Sequence, residues 1–182
     1  MIGVVLAGGS GRRIGGGKPG RLLAGRPLVS YPAAALAAVC ERVAIVAKPG
    51  TELPELPGVE TWDDEPDEPR HPLTGIIHAL ERAAGEPILV CAADMPFVTA
   101  DGLRALARSA KTTIAISDGV LQPVLGLYTP DVLPVLRAAE PNTPLTRTIE
   151  ALAPALMALA PDEVRSIDTN EELADAEVSE ER

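Results

Sequence analysis

A single α/β domain on a mostly parallel sheet is the fold this sequence predicts, and three observations lead there. Short apolar runs alternate with Ala/Leu-rich stretches of helical length, the pattern of strands joined by crossover helices. The 182 residues suit one compact domain, 1–182, with a substantial buried core. Apolar residues make up 46% of the chain and aromatics only 2%, so the chain is not disordered and its core must come from Ala, Val, Leu and Ile.

The elements follow in order. Ile2–Ala7 reads as a buried first strand, and a glycine-rich loop runs from Gly8 to Arg26. Pro27–Cys40 is a helix candidate, with Pro32 tolerable only in its first turn. Val43–Ala47 is a second strand. Lys48–Pro72 holds six prolines and most of the local acids, so it reads as loop with a short strand at Val59–Trp62. Thr74–Ala84 is a helix, Ile88–Ala92 an apolar strand, and Ala100–Ala110 a helix. Thr113–Ser117 and Val124–Tyr128 are strands, followed by helices near Asp131–Ala139 and Leu145–Leu152. A last strand near Arg165–Asp168 leads into a helix at Glu171–Val178.

Charge narrows the partners. The chain carries a net charge of −10, yet residues 1–50 hold seven basic side chains against the single acid Glu41. Residues 51–70 reverse this, with eight acids against Arg70. A local positive field can focus an anion on an acidic protein, because exposed charges more than about 10 Å apart are largely screened. The basic residues are too few for a nucleic-acid surface, and the scarcity of aromatics removes the stacking platforms that single strands need. No run reaches the length of a membrane span. MIGVVLAGG lacks the basic region and cleavage site of a signal peptide. Cys40 and Cys91 stand singly in apolar runs, which suggests buried free thiols in a cytoplasmic protein.

The segment LAGGSGRRIGGGKPGRLL contains seven glycines and follows the first strand directly. In open α/β sheets ligands bind beyond the carboxyl ends of the strands, so this loop lies where a ligand would sit. Glycines let backbone N–H groups close around an anion, and Arg12, Arg13 and Lys18 add charged donors. Two familiar phosphate motifs do not fit. Arg12 occupies the first glycine position of a Walker A loop ending at Lys18, and Pro19 replaces its Ser/Thr. Ile14 stands where the third glycine of the dinucleotide fingerprint belongs.

A different phosphate loop does fit. LAGGSGRRIGG and LLAGRPLV, then HPLTGIIHAL, ADMPFV and IDTNEELADAE, resemble the nucleotidyltransferase superfamily that includes the sugar-phosphate pyrophosphorylases. Within it the chain looks most like the molybdenum cofactor guanylyltransferases. HPLTGI is similar to their G-P-L-x-G-I/M, and LAGG, where cytidylyltransferase relatives carry LAAG, favours guanine. The resemblance implies a three-layer α/β/α fold of the nucleotidyltransferase type. It also implies transfer of GMP from GTP to the terminal phosphate of molybdopterin or Mo-molybdopterin, with Mg²⁺ as cofactor. Cofactor-delivery proteins and molybdoenzyme apoproteins are the protein partners such a role would involve. Transfer from CTP, transfer to a sugar phosphate and a non-catalytic nucleotide-binding role stay open as alternatives.

The same resemblance implies site residues. Leu6, Ala7, Gly8, Gly9, Gly11, Arg12 and Lys18 would surround the nucleotide, joined by Asp64 and Asp94. Lys18 would offset charge at the α-phosphate, and Arg13 with the loop amides would hold the β- and γ-phosphates. Asp94, in A-D-M-P just past the strand ILVCA, matches the family's metal ligand; by itself such a residue is as often a turn or cap. Asp168 matches a residue that shares the metal in sugar-phosphate relatives, or else caps the helix near Glu171 in an Asp-x-x-Glu pattern. Asp64, eight residues before Pro72, stands where the family binds the nucleotide. Its carboxylate could accept from N1–H and the 2-amino group of guanine, or be one more exposed acid. His71 shapes the loop before Pro72, Gln122-Pro123 resembles an acceptor-side segment, and Arg147 could meet an anionic group or lie in a plain loop. Three departures stand out. Gly17 replaces an Asp before the loop lysine, Met95 follows Asp94, and Val46 replaces a nucleotide-contacting Asn whose contact is either lost or supplied by backbone or Lys48.

Overall fold

The computed structural model describes residues 1–8, 18–64, 71–140 and 143–180, with backbone alone at Lys18 and residues 179–180. The chain opens with β1 (Ile2–Leu6), then the short strands β2 (Leu22–Leu23) and β3 (Arg26–Pro27), helix α1 (Ser30–Ala37) and β4 (Arg42–Ala47). Next come β5 (Val59–Asp63), α2 (Pro72–Arg82), β6 (Ile88–Ala92), α3 (Ala100–Ala107), β7 (Thr113–Ser117) and β8 (Val120–Tyr128). The last elements are α4 (Leu133–Arg137), α5 (Leu145–Ala151), β9 (Ala155–Ala158) and α6 (Asn170–Glu180).

The main sheet has seven strands in the order β5-β4-β1-β6-β8-β7-β9. Pairings are parallel from β5 through β6 and again between β7 and β9, while β8 runs antiparallel to both its neighbours. Strand order reverses at β1, which has β4 on one side and β6 on the other. A crevice opens at such a switch point, because the connections leave the two strands toward opposite faces.

Near-continuous apolar runs follow from burial on both sides of the sheet. Val5, Ile45, Leu89 and Cys91 pack with Ala33 and Leu36 of α1 and with Leu103 and Leu106 of α3. Ile2, Val4, Ile88 and Val90 face the other way, against Ile76, Ala79 and Leu80 of α2, Leu136 of α4 and Ile149 of α5. Each fully buried Val, Leu or Ile contributes about 1.5–3 kcal/mol. Cys40 and Cys91 are both buried free thiols, and burial raises the Cys40 thiol to about 11.

Four segments differ from the sequence expectation. α1 begins at Ser30 rather than Pro27, because Arg26–Pro27 pairs with Leu22–Leu23 across a turn with positive φ at Ala24 and Gly25. Pro32 consequently falls in the first turn, where its missing N–H costs nothing. β8 extends back to Val120 through an Asp118-Gly119 turn whose positive φ values suit a tight hairpin. No strand forms at 165–168; that segment makes one ladder-like contact, Ile167 N–H to the Asp94 carbonyl at 2.8 Å, and buries Ile167 against Leu23, Leu28 and Ala176. The strand here is instead Ala155–Ala158, parallel to β7. ALMA contains no β-branched residue, so local propensity hides a strand that is imposed by the edge of β7.

Candidate active site

The site begins where three strands end level. Leu6 is the register partner of both Val46 in β4 and Ala92 in β6. Two backbone hydrogen bonds continue the ladders beyond the strand ends: Ala7 N–H to Val46 carbonyl at 2.9 Å and Ala93 N–H to Leu6 carbonyl at 3.0 Å. The chain after β1 and the chain after β6 therefore leave the sheet side by side. A cleft of about 250 Å³ opens there, with Leu6, Gly8, Val46, Ala92 and Asp94 in its wall. Asp94 is half-buried, and its carbonyl is held by Ile167.

The base of one side is set by an ion pair. Lys48 and Asp64 each stand one residue past the ends of the adjacent parallel strands β4 and β5, with Asp64 N–H bonded to the Ala47 carbonyl at 2.8 Å. The Lys48 Nζ lies 3.1 Å from Asp64 Oδ2, with side-chain exposures of 5% and 7%. Asp64 lines the cleft, so it is not one of the exposed acids of its segment.

Helix α2 closes the next side. Its N-cap is His71, whose Nδ1 accepts from Leu73 N–H at 3.2 Å, while the His71 carbonyl accepts from the Thr74 hydroxyl at 2.7 Å. Thr74 and Gly75 N–H groups also turn back to that carbonyl, at 3.1 and 3.5 Å. The first amides of α2 are thus satisfied within the cap. Gly75 lines the cleft; a Cβ there would sit 3.1 Å from Leu6 Cδ2 and 3.8 Å from Val46 Cγ1. The glycine of HPLTGI lets the helix rest on the tips of β1 and β4.

The opposite wall comes from β8 and from the chain before α6. Pairing between β7 and β8 slips between Ile114 and Ala115, so that Ile114 faces Gly126 but Ala115 faces Gln122. Pro123 lies within this irregularity, where its lack of an N–H is harmless. Gln122 and Val124 line the cleft on this side, with Val164 and Ser166. Ser166 Oγ donates to Asp168 Oδ2 at 3.0 Å, which places Asp168 one hydrogen bond behind the wall. The helix cap expected of Asp168 belongs to its neighbour. Thr169 Oγ1 accepts from Glu172 N–H at 3.2 Å, and Glu172 Oε2 accepts from the N–H groups of Asp168 and Thr169 at 2.7 and 2.9 Å. This is a capping box one residue later than Asp-x-x-Glu suggests. The Asp168 amide, then that of Thr169, holds the Glu172 carboxyl below its ordinary range.

Of the remaining expected residues, Ala7 is buried behind the cleft with its N–H engaged. Gly9, Gly11, Arg12, Arg13 and Gly17 lie outside the described residues, and Lys18 is described only by backbone in a short turn to Gly20. Arg147 is exposed on α5 and does not line the cleft. Sequence reasoning overlooked Ser166, Val164 and Val124 as wall residues and did not pair Lys48 with Asp64. Only the equal offsets of Lys48 and Asp64 from two strand ends signal that pairing.

The oxygen donors suit a hard cation. Among the described residues no three His, Cys, Asp or Glu side chains gather as a metal cage. Asp94 instead offers a carboxylate in an open cleft, and Mg²⁺ is commonly held by one or two carboxylates with substrate phosphates and waters.

Comparison with known proteins adds the following. The family model of the MobA-like NTP transferase domain matches residues 3–156. The molybdenum cofactor guanylyltransferase of Bradyrhizobium sp. (strain ORS 278) is 34% identical over 137 residues, covering 69% of this chain and 65% of that protein. The probable molybdenum cofactor guanylyltransferase of Deinococcus radiodurans is 41% identical over 102 residues, covering 56% of this chain and 50% of that protein. The chain thus spans less than two thirds of the length of these relatives. The crystal structure of molybdopterin-guanine dinucleotide biosynthesis protein A from Archaeoglobus fulgidus aligns with a TM-score of 0.74 over 100% of both chains at 21% identity, a likeness of fold.

Proposed function

Because this chain belongs to the MobA-like NTP transferase domain family, we propose that it transfers the guanylyl group of GTP to the terminal phosphate of molybdopterin, with or without molybdenum, and releases pyrophosphate. The observation that carries this reading is the meeting of Gly8, Asp64 and Asp94 in one cleft at the level ends of β1, β4 and β6. A triphosphate can lie along the loop after β1 with its base toward Asp64 and its α-phosphate toward Asp94. The guanylyltransferase names of the Bradyrhizobium and Deinococcus relatives support guanine as the base.

The reaction joins an acceptor phosphate oxygen to the α-phosphorus in line with the departing oxygen of pyrophosphate. The acceptor is already an anion, so no strong base is needed and the protein's work is positioning and charge neutralisation. Asp64 accepts from the guanine edge, and Gly8 with the loop that follows lets backbone amides approach the phosphates. Lys18 and Arg13 are assigned to the α-phosphate and to the β- and γ-phosphates. Asp94 would hold Mg²⁺; Asp168, the proposed second ligand, follows Ile167 in sequence and would reach the cleft only by exchanging its bond to Ser166. The cation, when bound, supplies neutralisation of the phosphate charge. The Gln122, Val124 and Ser166 wall is left for the acceptor.

Pyrophosphate release measured with GTP, CTP, UTP or dTTP, each with Mg²⁺ and molybdopterin, tests the proposal. Release with GTP alone supports it, and release with CTP alone rewrites the base assignment. Thermal stabilisation by GTP without any release identifies a nucleotide-binding protein that does not transfer.

A further inference from the structure

Asp64 borders the cleft, whereas its ion-pair partner Lys48 does not. The lysine therefore meets the carboxylate from one residue beyond β4, outside the cleft lining. Both side chains are more than nine-tenths buried, and the Nζ–Oδ2 separation is 3.1 Å. Lysine is almost never buried this far unless paired, and ordering its long side chain costs rotamer entropy. Rotation of an aspartate about its last torsion is soft, so backbone placement alone does not orient the two oxygens. A cation on Oδ2 restricts that rotation.

On the reading of this cleft as a GTP site, we propose that Lys48 is a positioning residue for base selection. It holds the Asp64 carboxylate turned so that it can accept from both N1–H and the 2-amino group of guanine. A base lacking the 2-amino group forfeits one of those bonds, and a carboxylate released from Lys48 loses the orientation that makes two possible. The residue at this position thus discriminates between purines without touching the base.

The test compares binding of GTP and of inosine triphosphate, which lacks only the 2-amino group, to the full chain with Mg²⁺ by calorimetry. A hydrogen bond to a charged acceptor makes the expected wild-type preference for GTP about tenfold. Lys48→Met should bring the two affinities to within about twofold of each other. Lys48→Gln, which keeps an N–H donor but shortens its reach, serves should the methionine variant fail to fold, with the preference falling below about threefold. A purely structural role would weaken both nucleotides together and leave their ratio unchanged. Equal affinities in the wild type, or a ratio unmoved in the folded variant, overturns the inference alone. A wild-type protein that binds neither nucleotide overturns the GTP reading, and this inference with it.

Discussion

Gly126→Ala offers a quantitative test of how β8 is built. Gly126 is paired on both sides, with Val90 of β6 and Ile114 of β7, so the strand cannot shift away from one neighbour without straining the other. A Cβ at this position would lie 2.7 Å from the Thr113 carbonyl oxygen and 2.7 Å from Ile114 Cδ1. The isoleucine methyl can rotate, but the carbonyl belongs to the backbone of β7 and cannot. Overpacking of about 1–3 kcal/mol, together with a weakened ladder bond of about 1 kcal/mol, predicts a loss of about 2–4 kcal/mol. For a chain of this size that corresponds to a fall of about 5–15 °C in melting temperature. Gly75→Ala is the internal control, because its Cβ meets only side-chain ends, Leu6 Cδ2 at 3.1 Å and Val46 Cγ1 at 3.8 Å. Alanine's higher helix propensity, about 1 kcal/mol, should roughly offset that crowding and leave stability within about 1 kcal/mol of wild type. Urea denaturation and calorimetry of both variants decide the matter. A Gly126→Ala protein melting within about 2 °C of wild type, or a Gly75→Ala protein destabilised as much, refutes the distinction between a yielding side chain and an unyielding carbonyl.

Four further outcomes follow from the structure. Asp94→Asn should lower pyrophosphate release by about a thousandfold, as loss of a key charge-stabilising group does, while the melting temperature stays near wild type; near-normal turnover would remove Asp94 from the site. Thr169→Ala should cost about 1 kcal/mol in chemical denaturation, since it removes the N-cap of α6. The Glu172 half of that capping box is pH-dependent: its carboxyl is held below the ordinary range by the Asp168 amide first, so its contribution is complete above the unfolded pKa and disappears as pH falls through the lower folded one. Glu172→Gln should flatten that acid limb of the stability profile. Burial moves the Cys40 thiol from 9.0 up to about 11, so between those values the unfolded chain sheds a proton that the folded chain keeps. Stability should decline across that interval, and Cys40→Ala should decline less when the two are titrated side by side.

Much of the fold was legible because its strands are buried on both faces. Ile88–Ala92 and Thr113–Ser117 agree with the sequence reading residue for residue, since continuous apolar, β-branched runs of that length suit little else. Ala155–Ala158 escaped notice because its residues carry no strand preference, and Arg165–Asp168 looked like a strand because Ile167 is buried for a different purpose, under α6. The cap of α6 was one residue off because Asp168 and Thr169 are both good caps and two glutamates follow them.

The candidate site divides along the same line. The order of residues, with the family resemblance it carries, was enough to expect a ligand beyond the first strand and to single out Asp64 and Asp94, both of which line the cleft. That Leu6, Val46 and Ala92 end level and open one cleft is a matter of register between strands far apart in sequence. Whether Asp64 is a solvated acid or a buried carboxylate paired with a lysine was likewise decided only when β4 and β5 paired. Burial and charge pairing are properties of the space between elements, and that space exists only once the sheet has assembled.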